Sequence, residues 1–143
     1  MLDLGKRRSI DLLIEHFWKK GYTTVSRKYG TYLSEPSQIG GFDVDVIARY
    51  KKNYAIGITL SEQDLYEPKT LKKLIYLATR KTRYTNKNVE LFVGISVQYI
   101  KNARSMIEIL DAEIRKNIIL IPIIEKSLST GRFKQNSKKL LFS

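Results

Sequence analysis

The sequence predicts an α/β fold in which a mixed central β-sheet is flanked by helices. Two observations lead to this prediction. The later part of the chain alternates strand-like and helix-like segments, which implies parallel strands joined by helical crossovers. The earlier part contains two strand-like segments joined by a short polar turn, which implies antiparallel pairing. With 143 residues, 43% of them hydrophobic, the chain is long enough to bury a core as one domain.

Hydrophobic periodicity locates the individual elements. The first helix carries an apolar stripe and stops at Gly21, whereas the strands are rich in β-branched and aromatic residues. Pro122 indicates that the last strand lies at a sheet edge or ends there, because proline cannot donate a ladder hydrogen bond. The predicted elements, in order, are a helix (4–20), a strand with a turn (22–33), a loop (34–41), two hairpin strands (42–50 and 53–60), a helix with a break near Pro68 (61–84), a strand (89–97), a helix (100–116) and a strand (117–124).

Composition restricts the classes of function that this chain can have. It contains no cysteine and its only histidine is His16, which excludes disulfides, thiolate metal sites and sites with several histidine ligands. No apolar run approaches the roughly 18 residues of a membrane span, and no secretory signal is visible. We therefore expect a cytoplasmic protein with no membrane partner, made of one domain at residues 1–125 and a basic C-terminal tail at 126–143.

The net charge of +12 predicts a polyanionic partner. Basic side chains that neutralise phosphates release condensed counterions, which favours binding to nucleic acid. Between Lys69 and Lys87 the chain has seven basic residues and no acid, and several recur at helical intervals. A solvated lysine face is the alternative interpretation. No base-reading motif is visible, so we expect recognition of backbone or shape, with Tyr76 and Tyr84 available for stacking. The predicted nucleic-acid-binding residues are Lys6, Arg7, Arg8, Lys69, Lys72, Lys73, Arg80, Lys81 and Arg83.

Two aspartates at the start of the predicted hairpin are candidate metal ligands. Asp43 and Asp45 project from the same face if both lie in a strand, because side chains alternate along it. Adjacent carboxylates repel each other, so a divalent cation, a basic residue or water usually neutralises them. In the alternative interpretation Asp43 belongs to the loop, and only Asp45 lies on the solvated face of the strand.

The hairpin and its neighbouring elements resemble the PD-(D/E)xK nuclease superfamily, in particular archaeal Holliday junction resolvases. The sequence DVIA at 45–48 matches the first half of the family's hairpin motif, and IGIT at 56–59 stands where I-E-x-K is expected. The sequence FWKKGY at 17–22 is similar to the end of the family's first helix. The likeness covers most of residues 5–125. It implies a restriction-endonuclease-like fold, a homodimer, and branched or double-stranded DNA as the partner.

The resemblance also implies a catalytic centre that is incomplete in this chain. In the family, an aspartate and a glutamate hold a divalent cation, and a lysine helps to activate the attacking water. Asp45 stands at the metal-binding position, whereas Gly57 and Thr59 stand at the positions of the glutamate and the lysine. Loss of both groups removes most of the stabilisation of the transition state. We therefore predict a DNA-binding protein that is catalytically inactive and needs no cofactor.

An active endonuclease with a rearranged catalytic site is one alternative. It would use Mg²⁺ or Mn²⁺ held by Asp45 and Asp43, with a carboxylate of Glu62 or Asp64 swinging in from the start of the following helix. Lys72 or Lys73 would replace the missing cation from that helix. Asp11 or Glu15 would take the place of the acidic residue that the family often adds on the first helix. Glu62 also fits a different role, since acids in a first helical turn complement the helix dipole.

A non-catalytic subunit of a larger nuclease is the other alternative. KKGYTTVSRKYGTYL at 19–33 and LATRKTRYTNKNVELFVGI at 77–95 are also similar to tRNA-splicing endonuclease subunits. The catalytic histidine of that family has no counterpart, since His16 lies on the first helix. A stable protein partner and a preference for RNA would favour this function, whereas the nuclease-like hairpin favours DNA.

Overall fold

The fold is a five-stranded mixed β-sheet with helices on both faces, which confirms the predicted α/β class. It is seen in a computed structural model that describes residues 4–83 and 85–124, so Tyr84 and the predicted tail lie outside the described residues. None of the described helices is long and apolar enough to cross a bilayer. The elements are α1 (Leu4–Lys19), β1 (Thr23–Arg27), β2 (Val46–Tyr50), β3 (Asn53–Leu60), α2 (Pro68–Ala78), β4 (Glu90–Ser96), α3 (Ile100–Ile107), α4 (Ala112–Arg115) and β5 (Ile118–Ile123), with 3-10 turns at Gln63–Tyr66 and Val97–Tyr99.

The strands lie in the order in which they occur along the chain. The first three pair antiparallel, and β3, β4 and β5 pair parallel through helical crossovers, as the two patterns in the sequence predict. β5 forms one edge of the sheet, as Pro122 indicates, and this proline lies opposite Ile95 of β4.

Each face of the sheet has its own apolar core, because side chains alternate along the strands. On one face α1 packs its buried stripe against the sheet, and the ring centroids of Phe17 and Phe92 are 4.5 Å apart. On the other face α2 and α3 cover the alternate residues of β3 and β4. The α1 stripe consists of Ile10, Leu13, Ile14 and Phe17.

The later helices are shorter than the sequence predicts. α2 ends at Ala78 because side chains take over its last carbonyl groups: Thr79 Oγ1 donates to Ile75 O at 2.8 Å, and Arg80 Nε donates to Tyr76 O at 2.8 Å. The predicted helix at 100–116 is divided into α3 and α4. The chain between them bends so that Leu110 is buried.

Gly57 allows α1 to lie close to the sheet. A Cβ atom added to this residue would lie 2.9 Å from Phe17 Cε2 and 3.0 Å from Leu13 Cδ2. Both of those side chains are fully buried, so one of them would have to shift within the core. The missing side chain at position 57 is therefore a condition for the packing of α1, which also positions the start of that helix.

We expect Gly57→Ala to lower the free energy of unfolding by about 1–3 kcal/mol, because overpacking a closed core costs about this much. Gly94→Ala on β4 is the matched control, since its Cβ would meet Ile123 Cδ1 at an ordinary 3.4 Å. It should leave stability unchanged to within about 0.5 kcal/mol or raise it slightly. Chemical denaturation of the two variants measures the difference. Equal losses of stability in Gly57→Ala and Gly94→Ala would contradict the close approach of α1 to the sheet at Gly57.

Candidate functional site

Asp45 is a buried carboxylate at the centre of the sheet's hairpin region. It directly precedes β2 and only 2% of its surface is exposed. Its backbone N–H donates to Gly57 O, and its carbonyl accepts from Lys28 N, both at 2.9 Å. These two bonds join Asp45 to β3 on one side and to the end of β1 on the other, so its backbone is held firmly.

The Asp45 carboxylate has hydrogen bonds on one oxygen and ion pairs on the other. Oδ2 accepts hydrogen bonds from Thr59 N at 2.8 Å and from Thr59 Oγ1 at 3.0 Å. Oδ1 lies 3.6 Å from Lys6 Nζ and 3.7 Å from Lys28 Nζ. A buried carboxylate is costly unless it is hydrogen-bonded and paired with a positive charge, and here it has both. We call these four residues the Asp45 cluster.

Asp43 lies on the rim of this cluster rather than inside it. Its side chain is 61% exposed, and its Oδ2 lies 3.9 Å from the ammonium of Lys28. Gln38 Nε2 donates to its Oδ1 at 2.9 Å. This hydrogen bond, followed by the charge of Lys28, lowers the pKa of Asp43. Asp43 and Asp45 therefore share one lysine, although β2 begins only after both of them.

Of the two candidate lysines on α2, Lys73 faces the cluster and Lys72 is exposed. Lys73 lines a polar cavity of about 390 Å³ together with Lys6, Asp43 and Thr59. Burial lowers the pKa of Lys73, the negative charge of Asp45 opposes this shift, and the positive charge of Lys6 adds to it. The first and second helices thus bring a lysine each to the same end of β3, from opposite faces of the sheet.

The acids that follow β3 are used in local contacts. Asp64 Oδ2 accepts from Ser61 N at 2.7 Å and from Ser61 Oγ at 3.1 Å, which closes the turn before α2. Glu62 Oε1 accepts from Tyr99 Oη at 3.0 Å, and this bond raises the pKa of Tyr99. Glu62 lines a neighbouring cavity of about 560 Å³ that also reaches Thr59. The structure thus places Glu62 near the cluster but bonded to a different partner.

The residues of the Asp45 cluster do not fit a divalent cation. Mg²⁺ and Ca²⁺ prefer several oxygen ligands, of which carboxylates are the most favourable. Within residues 4–83 and 85–124, no group of three or more Asp, Glu, His or Cys side chains is arranged to hold a metal ion. Two ammonium groups stand beside Asp45, and α1 fills the space that a glutamate side chain at position 57 would need.

Six of the nine predicted nucleic-acid-binding residues lie in two regions at opposite ends of α2. Lys6, Lys69 and Lys73 line the polar cavity near its first turn. Lys72 and Arg8 are exposed on their helices, and Arg7 lines a shallow cavity on the outer side of α1. The remaining three, Arg80, Lys81 and Arg83, line a cleft beyond the end of α2 that is larger than the polar cavity.

This larger cleft, which we call the hairpin cleft, has a volume of about 520 Å³. Among residues 4–83 and 85–124, five basic residues and no acid line it. Its apolar wall includes Ile47 and Tyr54 from the two hairpin strands. The full lining is Ile39, Ile47, Arg49, Lys52, Tyr54, Ala55, Ile56, Arg80, Lys81, Thr82, Arg83, Thr85 and Val89.

Contacts with the protein hold two of the cleft's guanidinium groups in place. Arg80 stacks on the ring of Tyr76 at 3.7 Å from its centroid, in addition to its bond to the carbonyl of the same residue. Arg49 Nε donates to Lys51 O at 2.7 Å, and its guanidinium lies 5.8 Å from the ring centroid of Tyr54. Preorganised guanidinium groups lose less freedom when they bind an anion.

Sequence reasoning missed Lys28 in the Asp45 cluster, and Arg49 and Lys52 in the hairpin cleft. Lys28 meets Asp45 because the β1–β2 register pairs Arg27 with Val46, and a register is not legible in a single sequence. Arg49 and Lys52 flank the hairpin turn, so the run of basic residues there was the available signal.

Comparison of the sequence with protein-family models and with curated proteins gave no significant match, and comparison with solved structures gave none either. The relationship to the PD-(D/E)xK nucleases therefore stays a prediction from the hairpin pattern. Functional inference for this chain depends on its own residues: the Asp45 cluster at one end of β3 and the hairpin cleft at the other.

We expect Asp45→Asn to destabilise the protein by about 1–3 kcal/mol, because it leaves the ammonium groups of Lys6 and Lys28 without their buried counter-charge. The lysines are partly exposed, which keeps the loss below that of a fully buried pair. Asp43→Asn is the control, since it also contacts Lys28 but is exposed, and it should cost less than about 1 kcal/mol. Similar losses in both variants would contradict the buried pairing.

The pKa of Lys73 provides a second test of this geometry. It should lie below 10.5 in the wild type. Asp45→Asn should lower it further, because the carboxylate favours the ammonium form, and Lys6→Met should raise it. NMR titration of ¹³C-methylated lysines, with the signal assigned by Lys73→Arg, measures these changes. If Lys73 had an ordinary lysine pKa that neither substitution changed, its ammonium group would not lie near Asp45 and Lys6.

Proposed function

We propose that this chain is a DNA-binding protein of restriction-endonuclease-like fold that does not cleave its ligand. An initial helix on one face of the sheet, an antiparallel hairpin and two parallel crossovers are compatible with that fold. Asp45, Gly57 and Thr59 are direct neighbours across the β2–β3 hairpin, as the three positions of the nuclease motif must be. This neighbourhood supports descent from a nuclease.

The chemistry of the Asp45 cluster argues for binding without hydrolysis. The nuclease mechanism requires a carboxylate whose oxygens are open to a metal ion, which then polarises the scissile phosphate. Here Thr59 occupies one carboxylate oxygen and two lysines face the other. The same position that would hold a catalytic ion therefore stabilises the hairpin.

The hairpin cleft is the observation that carries the binding proposal. In the described part of the chain its rim has five positive charges and no negative one, whereas the polar cavity mixes lysines with Asp43, Asp64 and Glu67. A concentration of one sign of charge around a concave surface attracts polyanions and raises their association rate. Contact of each cation with a phosphate releases counterions, so affinity should fall steeply with salt.

The basic residues near the start of α2 extend this surface. The 11 residues of α2 separate the two basic regions by about 16 Å, at a rise of about 1.5 Å per residue. This distance corresponds to about five base steps of duplex DNA at 3.4 Å per step. Lys72 is exposed between them and makes no ion pair within the described part of the chain. A DNA segment along α2 would thus meet cations at both ends and in the middle.

We expect the triple variant Arg49→Ala, Lys81→Ala, Arg83→Ala to bind DNA at least about tenfold more weakly at low salt. The slope of log K against log salt should fall by about 2–3, because each phosphate contact contributes about 0.9 for duplex DNA. Fluorescence anisotropy with duplex, four-way-junction and single-stranded DNA, and with structured RNA, measures both quantities.

The charge-matched control is Lys101→Ala, Arg104→Ala, Arg115→Ala. These residues are exposed on α3 and α4, and none of them lines the hairpin cleft. The control should retain nearly the affinity and the salt slope of the wild type. Absence of binding to any nucleic acid at low ionic strength would refute the proposal. Cleavage that requires Mn²⁺ or Mg²⁺ and is lost in Asp45→Ala would show instead that the chain is an active nuclease.

A further inference from the structure

We infer that the hairpin cleft accepts an unpaired nucleobase of a DNA strand, while its basic rim holds the phosphates on either side. This inference rests on the proposed function and narrows it. It names unpaired segments of DNA, rather than the regular duplex, as the ligand of this cleft. The wall of the cleft is apolar, whereas its rim is charged.

The wall of the cleft is an apolar surface that the protein's own helices leave open. α2 ends at Ala78, and on its face of the sheet the cleft opens beside the last residues of β2 and the first residues of β3. Ile39, Ile47 and Tyr54 are partly buried there and form an apolar hollow together with Ile56 and Val89. Concave apolar surfaces of 300–1,000 Å³ with a few polar groups are typical of ligand sites, and about 520 Å³ falls in this range.

The combination of wall and rim determines the kind of ligand. Phosphates alone would satisfy the five cations and would leave the apolar wall exposed to water. An apolar ligand alone would cover the wall and would leave the cations without partners. A nucleotide within a strand has a flat, weakly polar base with an anionic group on each side, and so can occupy both parts at once.

A regular duplex cannot use the wall of the cleft, because its bases are stacked and paired inside. Only its phosphates could reach the rim. A free mononucleotide carries its charge at one end, whereas the cations come from both sides of the cleft. Arg49 and Lys52 belong to the hairpin, and Lys81 and Arg83 to the segment after α2. A continuous strand that passes over the cleft fits this distribution better.

Tyr54 is the residue expected to contact the base. It lies in the cleft wall, and the guanidinium of Arg49 is near its ring, at 5.8 Å from the centroid. Bases stack on tyrosine rings and on arginine planes with little dependence on sequence. This matches the absence of any base-reading motif in the chain. The cleft should therefore prefer unpaired bases without strong selection among them.

The decisive experiment compares two single strands with the same number of phosphates. One is a DNA oligonucleotide about 12 nucleotides long, within the range that single-strand-binding folds cover. The other has the same backbone with abasic residues throughout. The full-length protein should bind the base-bearing strand at least about fivefold more tightly. The ratio of the affinities for the two strands should stay constant as the salt concentration increases, because both strands carry the same charge.

Variants of Tyr54 assign this preference to the cleft. Tyr54→Ala should abolish the difference between the two strands, and Tyr54→Phe, which keeps the ring, should preserve it. Tyr32→Ala is the matched control, since Tyr32 is 96% exposed and lines a different cavity. Thermal unfolding of each variant checks that it is folded. Equal affinity of the wild type for both strands would overturn the inference.

Photo-crosslinking tests the same site in the wild-type protein, without any substitution. A strand with a single 5-iodouracil should crosslink to the peptide that contains Tyr54, and mass spectrometry would identify it. Excess AMP should compete poorly. Crosslinks confined to other aromatic residues, such as Trp18 or Tyr32, or competition by AMP as strong as by the strand, would also overturn the inference. Salt-dependent binding with equal affinity for the two strands would overturn the inference about the cleft but not the proposed function. Absence of binding to any nucleic acid would refute both the inference and the proposed function.

Discussion

The pairing of one buried carboxylate with the protein's own donors organises the open end of the β2–β3 hairpin, opposite to its turn. Asp45 joins β1, β2 and β3 through its backbone and α1 through Lys6. Its burial is tolerable only because Thr59 donates two hydrogen bonds and two lysines supply opposite charge. A carboxylate in the same place could serve a metal ion only if these partners were absent. One arrangement of residues therefore explains both the stability of the hairpin and the proposed loss of hydrolysis.

The two ends of β3 consequently have different properties. At one end, Gly57 allows α1 to pack closely against the sheet, and α1 places Lys6 beside Asp45. At the other end, beyond the last residue of α2, apolar side chains of the hairpin line a cleft beside cations that form no ion pair with any described residue. α1 packs closely against the sheet at the first end, and α2 does not cover the sheet at the second end because it ends at Ala78. The proposed binding surface is thus a product of the fold rather than of a local motif.

The sequence predicted the class, the strand directions and the buried stripe of α1, because these depend on periodicities that a single chain displays. It predicted less about the ends of helices: Thr79 and Arg80 end α2 through side-chain bonds that propensity does not reveal. Within the site, Asp45 was readable from its position in the hairpin. Lys28 was not, since strand register brings it there, and Lys73 could not be distinguished from Lys72 before the direction of α2 was known.

The most direct test of this account is whether Asp45 can bind a metal ion in the folded protein. Titration of the ¹⁵N-labelled protein with Mn²⁺ would report this through paramagnetic broadening of individual amide signals. The account predicts no selective broadening at Asp45, Gly57 and Thr59, because protein donors and ammonium groups already surround the carboxylate. Selective loss of those three signals at stoichiometric Mn²⁺ would contradict it and would identify the centre as a working metal site.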